Sequence, residues 1–379
     1  MLAFVKVSPR PCLLALAAAI VLLSCSCGKV YAPRLFAVTH GNGRFVAIGE
    51  GGVIVTSEDL NKWTAAESGS TANLTDVEFG NGRFVAVGDT GTVLISEDGL
   101  AWTALTTPTS KDLRGLTFFT AGSLWISVGE SGEVSTSTDA LTWTVRHSGS
   151  GWLSAVAASD GGLLAVEAGA AGELSSSDGI NWTRTAQPLG GRCGVAYANG
   201  TWVSADFDGN IQRRPSQASS AVWQTPASGM WSAGYDCDVA AGDDFFVVAS
   251  AFLGSLFTSP DGRVWTKQFT SKNALRGITV LGPEVLTVGS FGEIAHAQCP
   301  GGACGDFTQT QISVPGEEPS AATPTDPGTG SLCAYWSCGG SPQCATVMGA
   351  ATGKQCTFAP GQTCEQWCAA TIPGNCSCR

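Results

Sequence analysis

Basic residues are scarce in this chain. Lys and Arg number 20 in 379 residues against 31 Asp and Glu, for a net charge of −11. A surface that tracks a phosphate backbone needs a basic face, so no nucleic-acid partner is expected. Histidine is scarcer still. His40, His147 and His296 lie far apart, which disfavours a histidine-built zinc site, and neither a metal nor any other cofactor is expected. Only 13% of residues are charged while 44% are hydrophobic, which argues against disorder and against a coiled coil. Glycine, at 49 residues, is abundant but has no G-X-Y period, so the chain is not collagenous. A long apolar run is also missing. The stretch Leu13 to Leu23 spans 11 residues, too few to cross a bilayer.

That short run reads instead as an address. Lys6 and Arg10 precede it and Leu22-Leu23-Ser24-Cys25 follows it, the layout of a secretory signal. The end resembles a bacterial lipobox. The resemblance implies cleavage after residue 24 and a diacylated Cys25 at the mature N-terminus. Stable membrane anchoring would follow, at ~0.8 kcal/mol per buried CH₂. A signal anchor and plain secretion are the alternatives. Removing residues 1–24 takes the net charge from −11 to −13. Residues 25–32 then form a tether. The cysteines agree with export: 8 of 15 crowd into the last 47 residues, which suits an oxidising compartment.

The middle of the chain repeats itself. Gly41-Asn42-Gly43-Arg44-Phe45-Val46-Ala47-Ile48-Gly49 recurs as Gly80-Asn81-Gly82-Arg83-Phe84-Val85-Ala86-Val87-Gly88. Behind each come a Gly-x-x-Gly, a β-branched run and Ser-x-Asp-x-x-x-Trp. The Asp and Trp pairs are Asp59/Trp63, Asp98/Trp102, Asp139/Trp143, Asp178/Trp182 and Asp261/Trp265, while Trp223 keeps the register without an Asp. Phe307 continues the spacing behind Cys299 to Cys304, so seven units of about 40 residues occupy residues 33–312. Turn residues cut each unit into four short strands. In unit two these are Leu74–Phe79, Arg83–Gly88, Thr92–Ser96 and Trp102–Leu105. The predicted fold is all-β: a seven-bladed β-propeller of four-stranded blades. The count begins on an inner strand and ends on an outer one, which leaves ring closure to side-chain packing.

The Ser-x-Asp-x-x-x-Trp element resembles the Asp box, or BNR repeat. The whole unit is similar to the Ycf48/Hcf136 photosystem assembly-factor family, over roughly 280 of the 379 residues. The resemblance implies a seven-bladed ring and assembly-type protein binding. The Cys-rich tail is not part of that pattern. Asp boxes occur in sialidases, xyloglucanases and non-enzymes alike, so they carry fold rather than function. Asp59, Asp98, Asp139, Asp178 and Asp261 are read as structural, each accepting N–H groups in its turn, with the tryptophan packed between blades.

Candidate binding residues cluster where inner strands begin. Aligned inner strands place Phe36, Thr75, Arg114, Ser154, Cys193, Cys237 and Arg276 at one position, with Arg34 and Arg192 close by and Trp152, Trp231 and Tyr235 just ahead of their strands. Glu50, Asp89, Glu130 and Asp206 fall in the turns after second strands. Together these would rim the tunnel mouth, with Arg as a bidentate donor to an acidic or peptide-like group. Alternatively, carbonyls and acids at the mouth satisfy the arginines. Cys193 and Cys237, at equivalent positions of neighbouring blades, suit a disulfide or two free buried thiols. Cys299 and Cys304 suit a tight disulfide loop, and Cys27 is left over.

The tail is a separate object. Residues 313–331 hold Pro315, Pro319, Pro324 and Pro327 among small residues and read as a linker. Residues 332–379 carry Cys333, Cys338, Cys344, Cys356, Cys364, Cys368, Cys376 and Cys378. Four disulfides, with 105 possible pairings, would staple a module too small for a core of its own. Zinc binding is the alternative.

Little suggests chemistry. Connections between units are short, leaving no room for a lid. A sialidase would need an arginine triad and a tyrosine backed by a glutamate, yet only Tyr197 and Tyr235 fall inside the propeller. A glycosidase would need two carboxylates across a cleft. The expectation is a lipid-anchored, non-catalytic scaffold in a bacterial cell envelope, periplasmic or surface exposed, binding a protein or an envelope glycan. The alternatives are a carbohydrate-binding or glycosidase-like protein and a purely structural surface protein.

Overall fold

The computed structural model describes residues 30–169, 172–186, 190–215, 222–231, 236–251 and 254–315. The signal segment, Cys25, Tyr235 and the cysteines from Cys333 to Cys378 lie outside the described residues.

Seven antiparallel four-stranded sheets follow one another, with strands in sequence order in each. They are the blades of a seven-bladed β-propeller, at residues 35–66, 74–105, 113–147, 153–186, 192–227, 237–270 and 275–311. The innermost strands are Leu35–Gly41, Leu74–Gly80, Leu113–Phe119, Leu153–Ser159, Arg192–Ala198, Cys237–Ala241 and Leu275–Leu281. Each lies beside the next around the ring, and that of blade 7 lies beside that of blade 1. The repeated Asn-Gly is a two-residue hairpin turn. Asn42 and Gly43 have φ of 47° and 72°, and Asn81 and Gly82 have 46° and 78°. Two successive positive φ values match the right-handed twist of the flanking strands, which is why Asn-Gly recurs there.

The core is divided among the seven gaps between blades. Trp143 of blade 3 packs with Val85, Val87 and Val93 of blade 2. Trp63 packs with Leu286, Val288 and Ile294 of blade 7, and so closes the ring. Trp102, Trp182, Trp223 and Trp265 fill the corresponding gaps behind their own blades. In the last gap Phe307 takes the tryptophan's place, stacked on Phe269 at 4.4 Å.

The aspartates hold the turns that carry these tryptophans. Asp178 accepts N–H groups from Ile180 and Asn181, both at 2.8 Å, and Asp59, Asp98 and Asp139 accept the same pair from their own turns. Those N–H groups favour the charged form and hold all four carboxyls below their ordinary range. This contribution is present above the unfolded-state value near 4 and fades as pH falls further. A second bond closes each turn. The indole Nε1 of Trp63, Trp102, Trp143, Trp182 and Trp265 donates to the carbonyl of the residue after the aspartate, at 2.9–3.3 Å. Trp223, without the aspartate, donates to Glu173 at 2.9 Å instead.

Ring closure differs from the sequence expectation. Side-chain packing does not act alone: Val30–Tyr31 pairs antiparallel with Val314–Pro315, and Gly292 donates its N–H to the Pro33 carbonyl at 2.6 Å. This backbone clasp joins the two ends of the described chain. It was hidden because Val30-Tyr31 is too short to stand out as a strand.

The two disulfides of the propeller are formed. Cys299–Cys304 closes the loop that replaces the Asp turn in blade 7, and Cys193–Cys237 ties blade 5 to blade 6 with Cα atoms 5.4 Å apart. The two residues of the second pair are not equivalent, as the alignment had them. Six inner strands carry a bulge at their second residue, and Cys193 is the bulged residue of blade 5. Blade 6 has no bulge there: Cys237 pairs directly with Ser250, so it matches Leu35 of blade 1 rather than Phe36.

Trp143, buried in its gap, gives a direct test: Trp143→Ala should cost about 3–5 kcal/mol, read by denaturant unfolding. The inter-blade disulfide spans 44 residues, so Cys193→Ser with Cys237→Ser should lower stability by about 2–4 kcal/mol. Equal unfolding midpoints for that double variant and the parent protein would show that the bridge adds nothing.

Candidate functional site: the tunnel mouth

One backbone bond repeats in all seven blades and defines the mouth. The residue after each second strand donates its N–H to the carbonyl of the residue ahead of the inner strand. The donors run Glu50, Asp89, Glu130, Ala168, Phe207, Ala251 and Ser290, and the acceptors Arg34, Asn73, Asp112, Trp152, Gly191, Asp236 and Ala274, at 2.8–3.1 Å. In blades 1, 2, 3 and 7 the approach leaves no room for a side chain at the preceding residue, while Glu167, Asp206 and Ser250 hold that place in the other three. A Cβ at Gly49, Gly88, Gly129 or Gly289 would stand 1.9–2.1 Å from the acceptor carbonyl oxygen, which explains the final glycine of the repeated motif. This bond places acidic residues from the turns beside arginines and aromatics from the inner strands.

Arg34 grips Glu50 with two bonds, of 3.0 and 2.6 Å, and its side chain remains 43% exposed. Arg114 reaches Asp112 at 3.0 Å and Asp89 of the previous blade at 3.4 Å, and lies over Trp152 of the next blade at 5.3 Å. Arg276 repeats this arrangement, with Asp236 of blade 6 at 3.2 Å and Phe36 of blade 1 at 5.7 Å from its guanidinium. Each of these two arginines therefore spans three blades. Trp152 is 41% exposed.

Two candidates do not belong to the mouth surface. Arg192 is 1% exposed and bonds to Glu173 at 3.0 Å. Arg214 reaches the same carboxylate at 2.6 Å, and both guanidinium groups cover the Trp223 ring at 4.6 Å. Burial opposes the charge on Glu173, but the Arg214 charge and the hydrogen bonds of Arg214, Trp223 and Arg192 outweigh it and keep its carboxyl low. This is an internal ionic cluster between blades 4 and 5, where removing one partner would strand a buried charge. Arg192 fills the inner-strand position that leucine holds in blades 1, 2, 3, 4 and 7. Trp231 is also buried, within the apolar gap between blades 5 and 6, 6.2 Å from Phe257.

One exposed aromatic was missed. Phe291 follows Ser290 at the mouth and is 37% exposed. It sits at the second middle position of a Gly-x-x-Gly, where other blades have Gly51, Thr90 and Ser131. All four have positive φ, and Phe291 has 58°. A bulky residue in that region costs about 1 kcal/mol or more. Aligning the Gly-x-x-Gly segments exposes the anomaly in the sequence, because glycine is the residue that position favours.

Below the mouth runs an axial channel of about 910 Å³, lined by all seven inner strands. Asp76, Glu78 and Asp238 face it, and none of the three was singled out in the sequence. Among the described residues no group of His, Cys, Asp and Glu is arranged to hold a metal ion.

Comparison with known proteins concerns the fold. A family model described as the DUF6242 beta propeller domain matches residues 77–207. No curated protein matches the sequence. A solved structure of YCF48 bound to D1 peptide is 14% identical, covering 72% of this chain and 96% of that one, with a TM-score of 0.57. YCF48 from Cyanidioschyzon merolae is 16% identical over 70% of this chain and 95% of that one, with a TM-score of 0.56. A catalytically inactive virginiamycin B lyase from Staphylococcus aureus with quinupristin is 12% identical over 71% of this chain and 98% of that one, with a TM-score of 0.62. At these identities the likeness is one of architecture, and this chain is a seven-bladed propeller similar in fold to YCF48 and to that lyase alike.

Proposed function

We propose that this protein is a non-catalytic, envelope-tethered propeller that binds a segment of a protein partner across its tunnel mouth. The observation that carries the reading is Phe291, an aromatic displayed to solvent at a backbone position that favours glycine. Strain kept at a surface site, under an aromatic left over a third exposed, is a mark of function rather than of folding. Trp152 offers a second exposed aromatic on the same face, backed by Arg114. Exposed aromatics flanked by held guanidinium groups suit the apolar and carbonyl groups of a peptide. The solved complex of YCF48 with a D1 peptide, a protein of the same fold, supports a peptide as the class of partner.

The tether bears on where that partner lies. Acylation of Cys25 would leave five residue steps to Val30, about 17 Å fully extended. Val30–Tyr31 and Val314–Pro315 lie beside the Gly292 turn of the mouth face. A lipid-anchored form therefore holds its mouth toward the membrane, where a membrane protein or a newly exported segment would meet it.

Two measurements test this reading. Trp152→Ala should lower capture of an envelope partner at least tenfold, about 1.4 kcal/mol, in a protein that still melts well above the assay temperature. Retention of a defined oligosaccharide instead of a protein would favour the glycan reading. Phe291→Gly should separate function from stability: stability rises by about 0.5–1 kcal/mol as the left-handed strain is relieved, while capture falls. Unchanged capture by both variants would remove the mouth from the reading.

A further inference from the structure

Blades 2 and 6 place an aspartate at the same register of their inner strands. Asp76 stands opposite Val87 and Asp238 opposite Ala249. Each uses its two carboxylate oxygens in the same way. One accepts the N–H of the following residue, Val77 or Val239, at 2.8 Å. The other accepts an N–H from the inner strand of the next blade: Leu116 at 2.7 Å for Asp76 and Ile278 at 2.9 Å for Asp238. The two carboxylates thus join blade 2 to blade 3 and blade 6 to blade 7 around the axis. Glu78 lines the same channel, with one oxygen accepting the Phe79 N–H at 3.0 Å.

Among the described residues the channel lining holds no compensating charge. Its titratable lining among the described residues is Asp76, Glu78, Asp160, Asp238 and Tyr197, with neither lysine, arginine nor histidine. Two arginines at the mouth are already engaged: Arg114 with Asp89 and Asp112, and Arg276 with Asp236. Burial, then the charge of Asp238, pushes the Asp76 carboxyl well above its ordinary range. Burial lifts Glu78 to about 7 and Asp238 to about 6.

We infer that the axial channel is a proton-responsive element, in which neutralising Asp76, Glu78 and Asp238 relieves mutual repulsion among the inner strands and tightens the ring. The inference is independent of what the mouth binds. The direction follows from linkage. A carboxyl whose folded-state value is raised holds its proton more tightly in the folded protein than in the unfolded chain. Stability is therefore lost as pH rises through 6–7 and regained as it falls back. The exposed turn aspartates act oppositely and only near pH 4 and below. The ring is then most stable in a weakly acidic window between the two.

Carbon-13 carboxyl titration of the full chain tests this directly. At least two carboxyl resonances should titrate with midpoints above 5.5. The unfolding equilibrium constant should be at least tenfold larger at pH 8 than at pH 5.5. Glu78→Gln keeps an acceptor for Phe79 and removes one charge. It should lower the constant at both pH values, more at pH 8 than at pH 5.5, and so shrink the ratio. Carboxyl midpoints all near 4, or equal constants at the two pH values, would overturn the inference. Should Glu78→Gln fail to fold, the titration of the parent protein decides alone.

Discussion

Each tryptophan of the repeat belongs to two blades. Its turn is part of its own sheet, but its ring lies in the gap behind, against the sheet before it. No blade therefore completes its core alone, and the apolar surface of the first is covered only when the last arrives. Trp63 makes that final contact with blade 7, and the short clasp of Val30–Tyr31 on Val314–Pro315 secures it with backbone bonds. A sheet with two buried faces and no partner would be unstable in water. The ring solves this for all seven at once, at the expense of long-range closure. The aspartate and the indole N–H serve the same end. They fix the turn so that the ring enters its gap at one angle.

At the mouth a single position performs one task with different chemistry. The bulged residue near the start of an inner strand reaches to the next blade. Thr75 donates to the Leu113 carbonyl at 2.6 Å, and Ser154 to that of Arg192 at 2.7 Å. Cys193 bonds covalently to Cys237, while Arg114 and Arg276 lie over Trp152 and Phe36. The arginines are thus inter-blade ties as well as surface groups. Asp89 and Asp112 hold the Arg114 fork and Asp236 holds that of Arg276, so a partner would meet groups already ordered, with less rotamer entropy left to lose. The two readings of these residues, structural and functional, describe the same geometry.

Much of this was legible in the sequence. The Trp spacing and the Asn-Gly turns gave the blade number and the order of strands, because each rests on local chemistry repeated in register. The mouth was legible in part. Arg34, Arg114, Arg276 and Trp152 stand where the motif register puts them, since Gly-x-x-Gly and the strand start are local marks. Arg192 and Trp231 misled because adjacency to a strand start says nothing of burial. Arg192 takes a leucine's place, which only its pairing with Glu173 makes tolerable. Cys237 misled because blade 6 lacks the bulge, a shift of one residue that no composition reveals. Asp76, Glu78 and Asp238 were invisible for a related reason. An acid on a strand reads as solvent-facing unless the strand is known to border an axial channel.

The channel carboxylates and Phe291 share a physical meaning. An apolar residue at the place of Asp76 would cost no charge burial, and a glycine at the place of Phe291 would cost no backbone strain. Neither is a requirement of the ring. Blades 1, 3, 4, 5 and 7 put Ala37, Gly115, Ala155, Gly194 and Gly277 at the register of Asp76, and the seven gaps between blades close around those blades as around the rest. Local choices that depart from the repeat, in a protein whose repeat otherwise satisfies its own folding, mark the places where something besides folding has been retained. Here these departures fall at the mouth and along the axis beneath it, whereas those of the outer turns, the Cys299–Cys304 loop ahead of Phe307 and the aspartate-less turn of Trp223, still fill a gap between blades.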